Sequence, residues 1–360
     1  MNIGILVYDI SLTGGAEHVA LNMAESLAYD YRVCLISVFS SRVLNLKNQP
    51  NYKSIVLTKK TKSITKNFFP LTNILKKKLI DEDIDILIAI TAGVVTLANF
   101  ASKSLKTQTI YAEHSNLENR TYGFKHIFRQ FVGAHLSEYV VTLTERDRLN
   151  FIRLFKVRPS KVITIPNWVD KVTVTNKTYN CKSKLIMSVG RLERVKGYNY
   201  LLKVAKRVLA EHDDWQWHIY GEGSLRSLLQ YEIEKEKLVN KLILMGNVQD
   251  ILERYSRYSF LVMTSIYEGL PLSLIEAQSQ GLPLISFDCP TGPSEIITDN
   301  VNGYLVKPFD TVEMENRVNE LIVNEPKRID FSKHADINIA KFSKNTVLQQ
   351  WKALFNRLVV

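Results

Sequence analysis

A chain of 360 residues that is 46% hydrophobic and 10% aromatic has material for two cores and is not a disordered chain. Its net charge of +11 is unevenly placed: Met1 to Trp168 carries 22 basic and 13 acidic residues, the remainder 25 and 23. Three scattered cysteines, Cys34, Cys181 and Cys289, exclude a disulfide framework and a zinc-ligand spacing, and fit a reducing compartment. The start, Met-Asn-Ile-Gly-Ile-Leu-Val-Tyr-Asp, lacks a basic n-region and reads as a strand, not a signal peptide. Ile86 to Ala101 is the longest apolar stretch. Thr91, Gly93, Thr96 and Asn99 break it, so it is too short and polar to span a bilayer.

In chain order, the first half predicts strands at Asn2–Tyr8, Arg32–Val38, Ser54–Leu57, Ile84–Ile90, Thr107–Ala112, Tyr139–Thr142 and Val162–Ile165. Between them fall helices at Ala16–Ala28, Pro70–Leu79, Val94–Ser104, Gly123–Leu136 and Glu145–Phe155. The polar stretch Asp170–Ser183 reads as a linker. The rhythm then restarts, with strands at Leu185–Val189, Gln216–Tyr220, Leu242–Met245, Phe260–Thr264, Leu284–Phe287 and Tyr304–Val306. Helices are expected at Asn199–Glu211, Leu225–Lys237, Asp250–Ser256, Leu272–Gln280, Pro293–Thr298 and Thr311–Val323. Apolar strands alternating with amphipathic helices mean an α/β chain of two doubly wound parallel sheets. The expected domains are 1–168 and 169–343, with a last segment, 344–360, crossing back to the first. Two such domains would face each other across a cleft with their carboxyl strand ends, where ligands bind.

Between Tyr31 and Ile80 there are eleven basic residues and no acidic one. Lys59, Lys60, Lys62, Lys66, Lys76, Lys77 and Lys78 alternate with Phe68, Phe69, Leu71, Ile74 and Leu75. Segment 53–78 therefore fits an interfacial element on an anionic membrane. A solvated basic helix with an ordinary buried face is the commoner case. Nucleic acid ranks low, since nothing else resembles a base-reading module.

The most informative run is Glu268-Gly-Leu-Pro-Leu-Ser-Leu-Ile-Glu276, after the apolar run Ser259–Ser265. Gly269 allows a tight turn, Pro271 suits a first helical turn, and Gly281 with Pro283 ends the helix. The N–H groups of Gly269, Leu270 and Leu272 then stand at a helix start, where they can hold an anion or sugar hydroxyls. Upstream, Arg191 and Lys196 lie between a strand and a helix, a place for phosphates; an exposed basic turn is the competing reading. Gly14-Gly15 and Gly221-Glu222-Gly223 follow strands too, but neither is a Gly-x-Gly-x-x-Gly, and simple tight turns would explain them. His114 ends a strand at the ligand-binding edge of its sheet. Lone histidines are usually structural, yet this placement favours a site. No other histidine has such a place, and no pair has metal-ligand spacing. Asp83-Ile-Asp85 precedes a strand, at the wrong end for ligands, and reads as solvated capping charge.

Together, Gly14-Gly15, Glu113-His114-Ser115, Ile165-Pro166-Asn167, Val189-Gly190-Arg191-Leu192 with Lys196-Gly197, Gly221-Glu222-Gly223, Glu268 to Glu276, and Asn302-Gly303-Tyr304-Leu305-Val306 resemble the ordered motifs of family 4 glycosyltransferases. The resemblance covers nearly the whole chain. It implies a GT-B fold, a nucleotide-diphosphate sugar donor, no cofactor, no essential metal, and transfer with retention. A donor phosphate oxygen would accept the acceptor's proton in a front-face substitution. Arg191 and Lys196 would hold the diphosphate, Glu276 the ribose hydroxyls, and Glu268 with the amides of Gly269 and Leu270 the donor sugar. Gly15 would approach the phosphates and His114 the sugar near the reacting carbon. The one local departure is Trp168, where the family commonly has Gly. The run Asp288–Glu295 resembles members that use UDP-linked hexoses or N-acetylhexosamines for surface glycans. An undecaprenyl-diphosphate-linked glycan is then the expected acceptor, with the enzyme cytoplasmic and peripheral on the inner membrane face. A nucleotide-sugar 2-epimerase of related fold and a silent nucleotide-sugar-binding partner are the alternatives.

Overall fold

The computed structural model describes residues 1–12, 14–40, 51–58, 63–118, 123–169 and 179–358. Thr13, Lys59, Lys60, Lys62 and most of the expected linker lie outside them. The chain divides into two compact units, Met1–Pro166 with Leu348–Val360, and Asn167–Val347.

The first unit contains β1 (Asn2–Asp9), α1 (Gly15–Leu27), β2 (Arg32–Phe39), β3 (Lys53–Thr58), α2 (Phe68–Asp81), β4 (Ile86–Ile90), α3 (Ala92–Ser102), β5 (Gln108–Glu113), α4 (Phe124–Leu136), β6 (Tyr139–Thr142), α5 (Glu145–Phe155) and β7 (Val162–Thr164). Its sheet order is β3-β2-β1-β4-β5-β6-β7, parallel throughout. All of β4 is buried, as a strand covered on both faces must be. Strand order reverses between β1 and β4, so the loop carrying Gly14 and Gly15 opens at a topological switch point.

The second unit contains β8 (Leu185–Val189), α6 (Tyr198–Glu211), β9 (Gln216–Tyr220), α7 (Arg226–Lys235), β10 (Leu242–Gly246), α8 (Ile251–Arg254), β11 (Phe260–Met263), α9 (Leu272–Ser279), β12 (Leu284–Phe287), α10 (Pro293–Ile296), β13 (Gly303–Val306), α11 (Thr311–Val323) and α12 (Glu325–Lys333). The parallel sheet runs β10-β9-β8-β11-β12-β13 and reverses between β8 and β11. Trp217, Phe260, Phe287 and Phe331 fill its core.

Helix α12 has no counterpart in the sequence reading. Glu-Pro-Lys-Arg-Ile-Asp-Phe-Ser-Lys shows no apolar stripe; Asn324 caps its start by accepting from the Lys327 amide, and Phe331 enters the core. Buried Arg328 donates to the carbonyls of Leu321 and Ile322 at the end of α11, and to Cys181 O at 2.8 Å. The last helix, α13 (Lys344–Asn356), groups with the first unit from Leu348 onward. There Phe355 meets Tyr31 edge-on at 5.7 Å and Lys352 pairs with Asp30 at 2.8 Å. Asp83 and Asp85 match the solvated capping charge expected of them: the Asp83 side chain is 66% exposed, both pair with Lys106, and Asp85 accepts from the Asn2 amide at the start of β1.

Thr144 caps α5 by accepting from the Asp147 amide at 3.1 Å, while the buried Asp147 carboxylate accepts from Thr144 Oγ1 and Leu117 N. Burial raises Asp147 from the ordinary carboxylate range to about 7, against these hydrogen bonds. The unfolded chain loses this proton near its ordinary value. The folded chain keeps it until about 7, so stability drains away as pH rises between the two. Asp147→Asn should accordingly raise the melting temperature by a few degrees at about pH 8 and by less at about pH 5. Equal shifts at both pH values, read by differential scanning fluorimetry, would sink this account.

Candidate functional site

The loops after β8, β9, β11 and β12 are stitched together at the carboxyl ends of the second sheet. After β8 the chain passes Arg191 into a short 3₁₀ turn, Arg194–Lys196, and leaves it through Gly197 at φ +67°. A Cβ there would lie 2.0 Å from the Thr264 carbonyl, so only glycine lets the two loops approach. Thr264 Oγ1 in turn donates to the carbonyls of Lys196 and Gly197, and Ile266 N to Val195 O at 2.8 Å. The β9 loop joins through Gly190 N to Tyr220 O and Leu192 N to Glu222 O, both at 2.9 Å.

This stitching brings Lys196 and Glu268, 72 residues apart in sequence, to a 2.6 Å ion pair. Their side chains are 19% and 12% exposed, so both charges are partly desolvated. Ser265 Oγ donates to the same Glu268 oxygen at 2.6 Å, and Thr291 Oγ1 donates to the Glu268 carbonyl. The Arg191 guanidinium is exposed and makes no hydrogen bond or ion pair with a described residue. Just beyond Glu268, the amides of Gly269, Leu270 and Leu272 donate to no described residue. Pro271 is the N-cap of α9, one place before the expected first turn, because its ψ of 101° is still extended. Leu272 is then the first helical residue. The helix end follows expectation: Gly281 takes φ +76° and Leu282 N bonds Ala277 O at 3.0 Å.

Glu276 lies in the second turn of α9, partly exposed, and Tyr255 OH donates to its Oε2 at 2.8 Å. Burial, reinforced by the Glu276 charge, holds the Tyr255 phenol well above its ordinary range, so it remains a donor. Gly221 takes φ +136° with the Gly190 carbonyl directly beneath it.

In the first unit Gly14 is the N-cap and Gly15 the first residue of α1. A Cβ on Gly14 would collide with the Glu17 carboxylate, whereas one on Gly15 would meet nothing within 4 Å. His114 follows β5 directly and is partly exposed as a residue. Desolvation pushes its pKa down to about 4, so the imidazole is neutral at physiological pH. Its neighbour Glu113 is buried and accepts from Tyr111, Gln130, and the amide and hydroxyl of Ser115, which fixes the turn that presents His114.

The structure thus gathers Arg191, Lys196, Gly221, Glu268, Gly269, Leu270, Leu272 and Glu276 at one sheet edge of the second unit. Gly14, Gly15 and His114 stand at the carboxyl edge of the first. A cationic pair, open amides and two carboxylates at a switch point suit a phosphorylated, hydroxyl-rich ligand. Among the described residues, no three His, Cys, Asp or Glu side chains are grouped to hold a metal ion.

Two family profiles meet this arrangement. "Glycosyltransferase Family 4" matches residues 13–172 and "Glycosyl transferases group 1" matches residues 175–337. The chain belongs to this glycosyltransferase family. A poly(ribitol-phosphate) alpha-N-acetylglucosaminyltransferase of Staphylococcus aureus is 29% identical over 347 residues, 93% of this chain and 69% of that one. A Campylobacter jejuni alpha-1,4-N-acetyl-D-galactosaminyltransferase, whose name gives a GalNAc-bearing diNAcBac-PP-undecaprenol as its acceptor, is 25% identical over 364 residues, 98% of both chains. The structure of the Anabaena protein Alr3699/HepE in complex with UDP and glucose superposes with a TM-score of 0.82 at 18% identity, covering 99% of each chain. That likeness establishes the fold, a GT-B pair of doubly wound parallel sheets.

Three residues that hold the carboxylates of this candidate site were not found by sequence reasoning. Ser265 and Thr291 hold Glu268, and Tyr255 holds Glu276. Ser265 and Thr291 lie in runs already singled out, but nothing marked their hydroxyls. Tyr255 stands 21 residues before Glu276 on a helical turn of its own, with no spacing signal. Tyr255→Phe should weaken nucleotide-sugar binding roughly tenfold, the size of one hydrogen bond to a charged group, with the fold intact. Calorimetry showing unchanged affinity would remove Tyr255 from the site.

Proposed function

We propose that the chain transfers a hexose or N-acetylhexosamine, with retention, from a UDP-sugar to a lipid-linked oligosaccharide in bacterial surface-glycan synthesis. The observation that carries this reading is the Lys196–Glu268 pair set between the exposed Arg191 and three open amides. On this reading Arg191 and Lys196 hold the diphosphate and stabilise the charge it gains on leaving, the work a metal ion does in other transferases. No essential metal or cofactor is therefore invoked. Glu276, held by Tyr255, takes the ribose hydroxyls. Glu268 and the Gly269 and Leu270 amides take the sugar hydroxyls. Gly221 would flank the nucleotide base, Gly15 would admit the phosphates closely, and neutral His114 would offer a hydrogen bond to the sugar.

In the reaction the acceptor hydroxyl oxygen bonds the anomeric carbon as the bond to the β-phosphate oxygen breaks. A donor phosphate oxygen takes the hydroxyl proton, and UDP departs. The alpha-linked names of both relatives support retention, and the undecaprenol-linked acceptor of one supports a lipid carrier. Such an acceptor would place the work at the cytoplasmic membrane face. Family membership leaves the epimerase and silent-partner readings without support.

Calorimetric titration with UDP-, GDP- and ADP-sugars should give a selective UDP-sugar hit that Glu276→Ala and Arg191→Ala each abolish. Selectivity for GDP or ADP donors would correct the nucleotide. Donor hydrolysis or epimerisation with no transfer to any lipid-linked acceptor would overturn the reading.

A further inference from the structure

Helix α4 packs on the first unit through few residues: only Gln130, Gly133 and Ala134 of its 13 are buried. Most of its other apolar side chains are exposed. Phe124 is 81% exposed, and Ile127, Phe128 and Phe131 are exposed too. Phe69, at the start of α2, is 77% exposed. Between α2, α3 and α4 runs an open groove of about 460 Å³, walled by Phe68, Phe100, Phe124, Phe128 and Leu136, with Lys125 and Arg129 at its lip. Proteins that work alone in water rarely expose so continuous an apolar face.

The charge on the helices of this face is almost all basic. Helix α4 carries Lys125 and Arg129 and no acidic residue. Lys66 precedes α2, and Lys76 and Lys77 follow along it; only Asp81 opposes them, already paired with Lys78 at 3.3 Å. Exposed aromatic rings flanked by basic side chains match the region between lipid headgroups and acyl chains. A symmetric contact with a second copy would set Lys125 and Arg129 against their own equivalents, which disfavours that occupant.

We infer that this α2–α4 face docks on an anionic lipid bilayer, its aromatic rings entering below the headgroups and the groove receiving an acyl chain. The inference deepens the proposed reading, which places the acceptor in a membrane. It moves the centre of contact from the basic segment 53–78 alone to α4, where the rings are most exposed.

The test is co-sedimentation of the full chain with vesicles of phosphatidylcholine alone, or with phosphatidylglycerol added, at low and high salt. The wild type should bind only the anionic vesicles, and salt should weaken it. Lys125→Glu/Arg129→Glu and, separately, Phe124→Ser/Phe128→Ser should each weaken binding by about tenfold or more. Melting temperature and UDP-sugar affinity should match wild type in both variants, which shows that they fold. A wild type indifferent to anionic vesicles, or variants that bind as it does, would overturn the inference. So would a concentration-dependent dimer that Phe124→Ser/Phe128→Ser dissolves, since the face would then belong to a second copy. Vesicle binding without transfer to a lipid-linked acceptor would instead fail the acceptor reading and leave the docking face standing.

Discussion

Lys196→Ala should lower kcat/KM by about 10³-fold, more than Arg191→Ala, and much of the loss should return when Glu268 is removed as well. The reason is the place of Lys196 in a charge balance. Its ammonium is bonded to the Glu268 carboxylate at 2.6 Å, in surroundings that leave 19% and 12% of the two side chains exposed. Take Lys196 away and, among the described residues, Glu268 keeps only the Ser265 hydroxyl as a side-chain donor to that oxygen. An uncompensated carboxylate then sits where the donor's diphosphate is proposed to lie, and the two anions repel in a partly desolvated place. Arg191 carries no such second duty, being exposed and unpaired among the described residues. Glu268→Ala alone removes sugar contacts but relieves the repulsion. The double variant should therefore bind UDP-sugar more tightly than Lys196→Ala, with a coupling of about 1–3 kcal/mol in a double-mutant cycle. Donor affinities that add to within about 0.5 kcal/mol would mean that Lys196 and Glu268 act separately, and the charge-balance account would fail.

That pair also marks how far the sequence could be read. Every strand of both sheets was legible, because parallel strands covered on two faces need short apolar runs, and β4 and β11 are such runs. The helices before residue 324 were legible too, apart from their ends and the 3₁₀ finish that Tyr255–Arg257 gives α8. Helix α12 was not, since a buried arginine capping α11 leaves no periodic trace. At the site, the residue types were legible but their pairing was not. Glycines Gly197 and Gly292 set the approach of three loops, and the distance from Lys196 to Glu268 follows from that approach. Gly292, at φ +99°, lies so close that a Cβ would come within 2.5 Å of Pro271 Cδ. Contacts of this kind depend on long-range loop geometry that no local pattern encodes.

Two glycines of the motif set should separate cleanly into a structural and a functional one. Gly221→Ala should lower the melting temperature by roughly 10 °C, the equivalent of about 3 kcal/mol. Its backbone sits at φ +136°, and the added methyl would lie 2.0 Å from the Gly190 carbonyl, a backbone atom that cannot swing aside. Gly190 is itself held, by its amide on Tyr220 O, so relief would have to break the join between the β8 and β9 loops. Gly15→Ala should do the reverse. Gly15 is the first residue of α1, has ordinary negative φ and has open space where the methyl would go. Alanine there narrows the unfolded ensemble and suits a helix start, so stability should hold or rise by about 0.5 kcal/mol. If that open space exists for a donor phosphate to approach the backbone, the same methyl should raise the KM for UDP-sugar several-fold. Melting curves and donor titrations on the two variants decide the matter. A Gly15→Ala protein with wild-type stability and wild-type donor affinity would show that this glycine serves neither fold nor site.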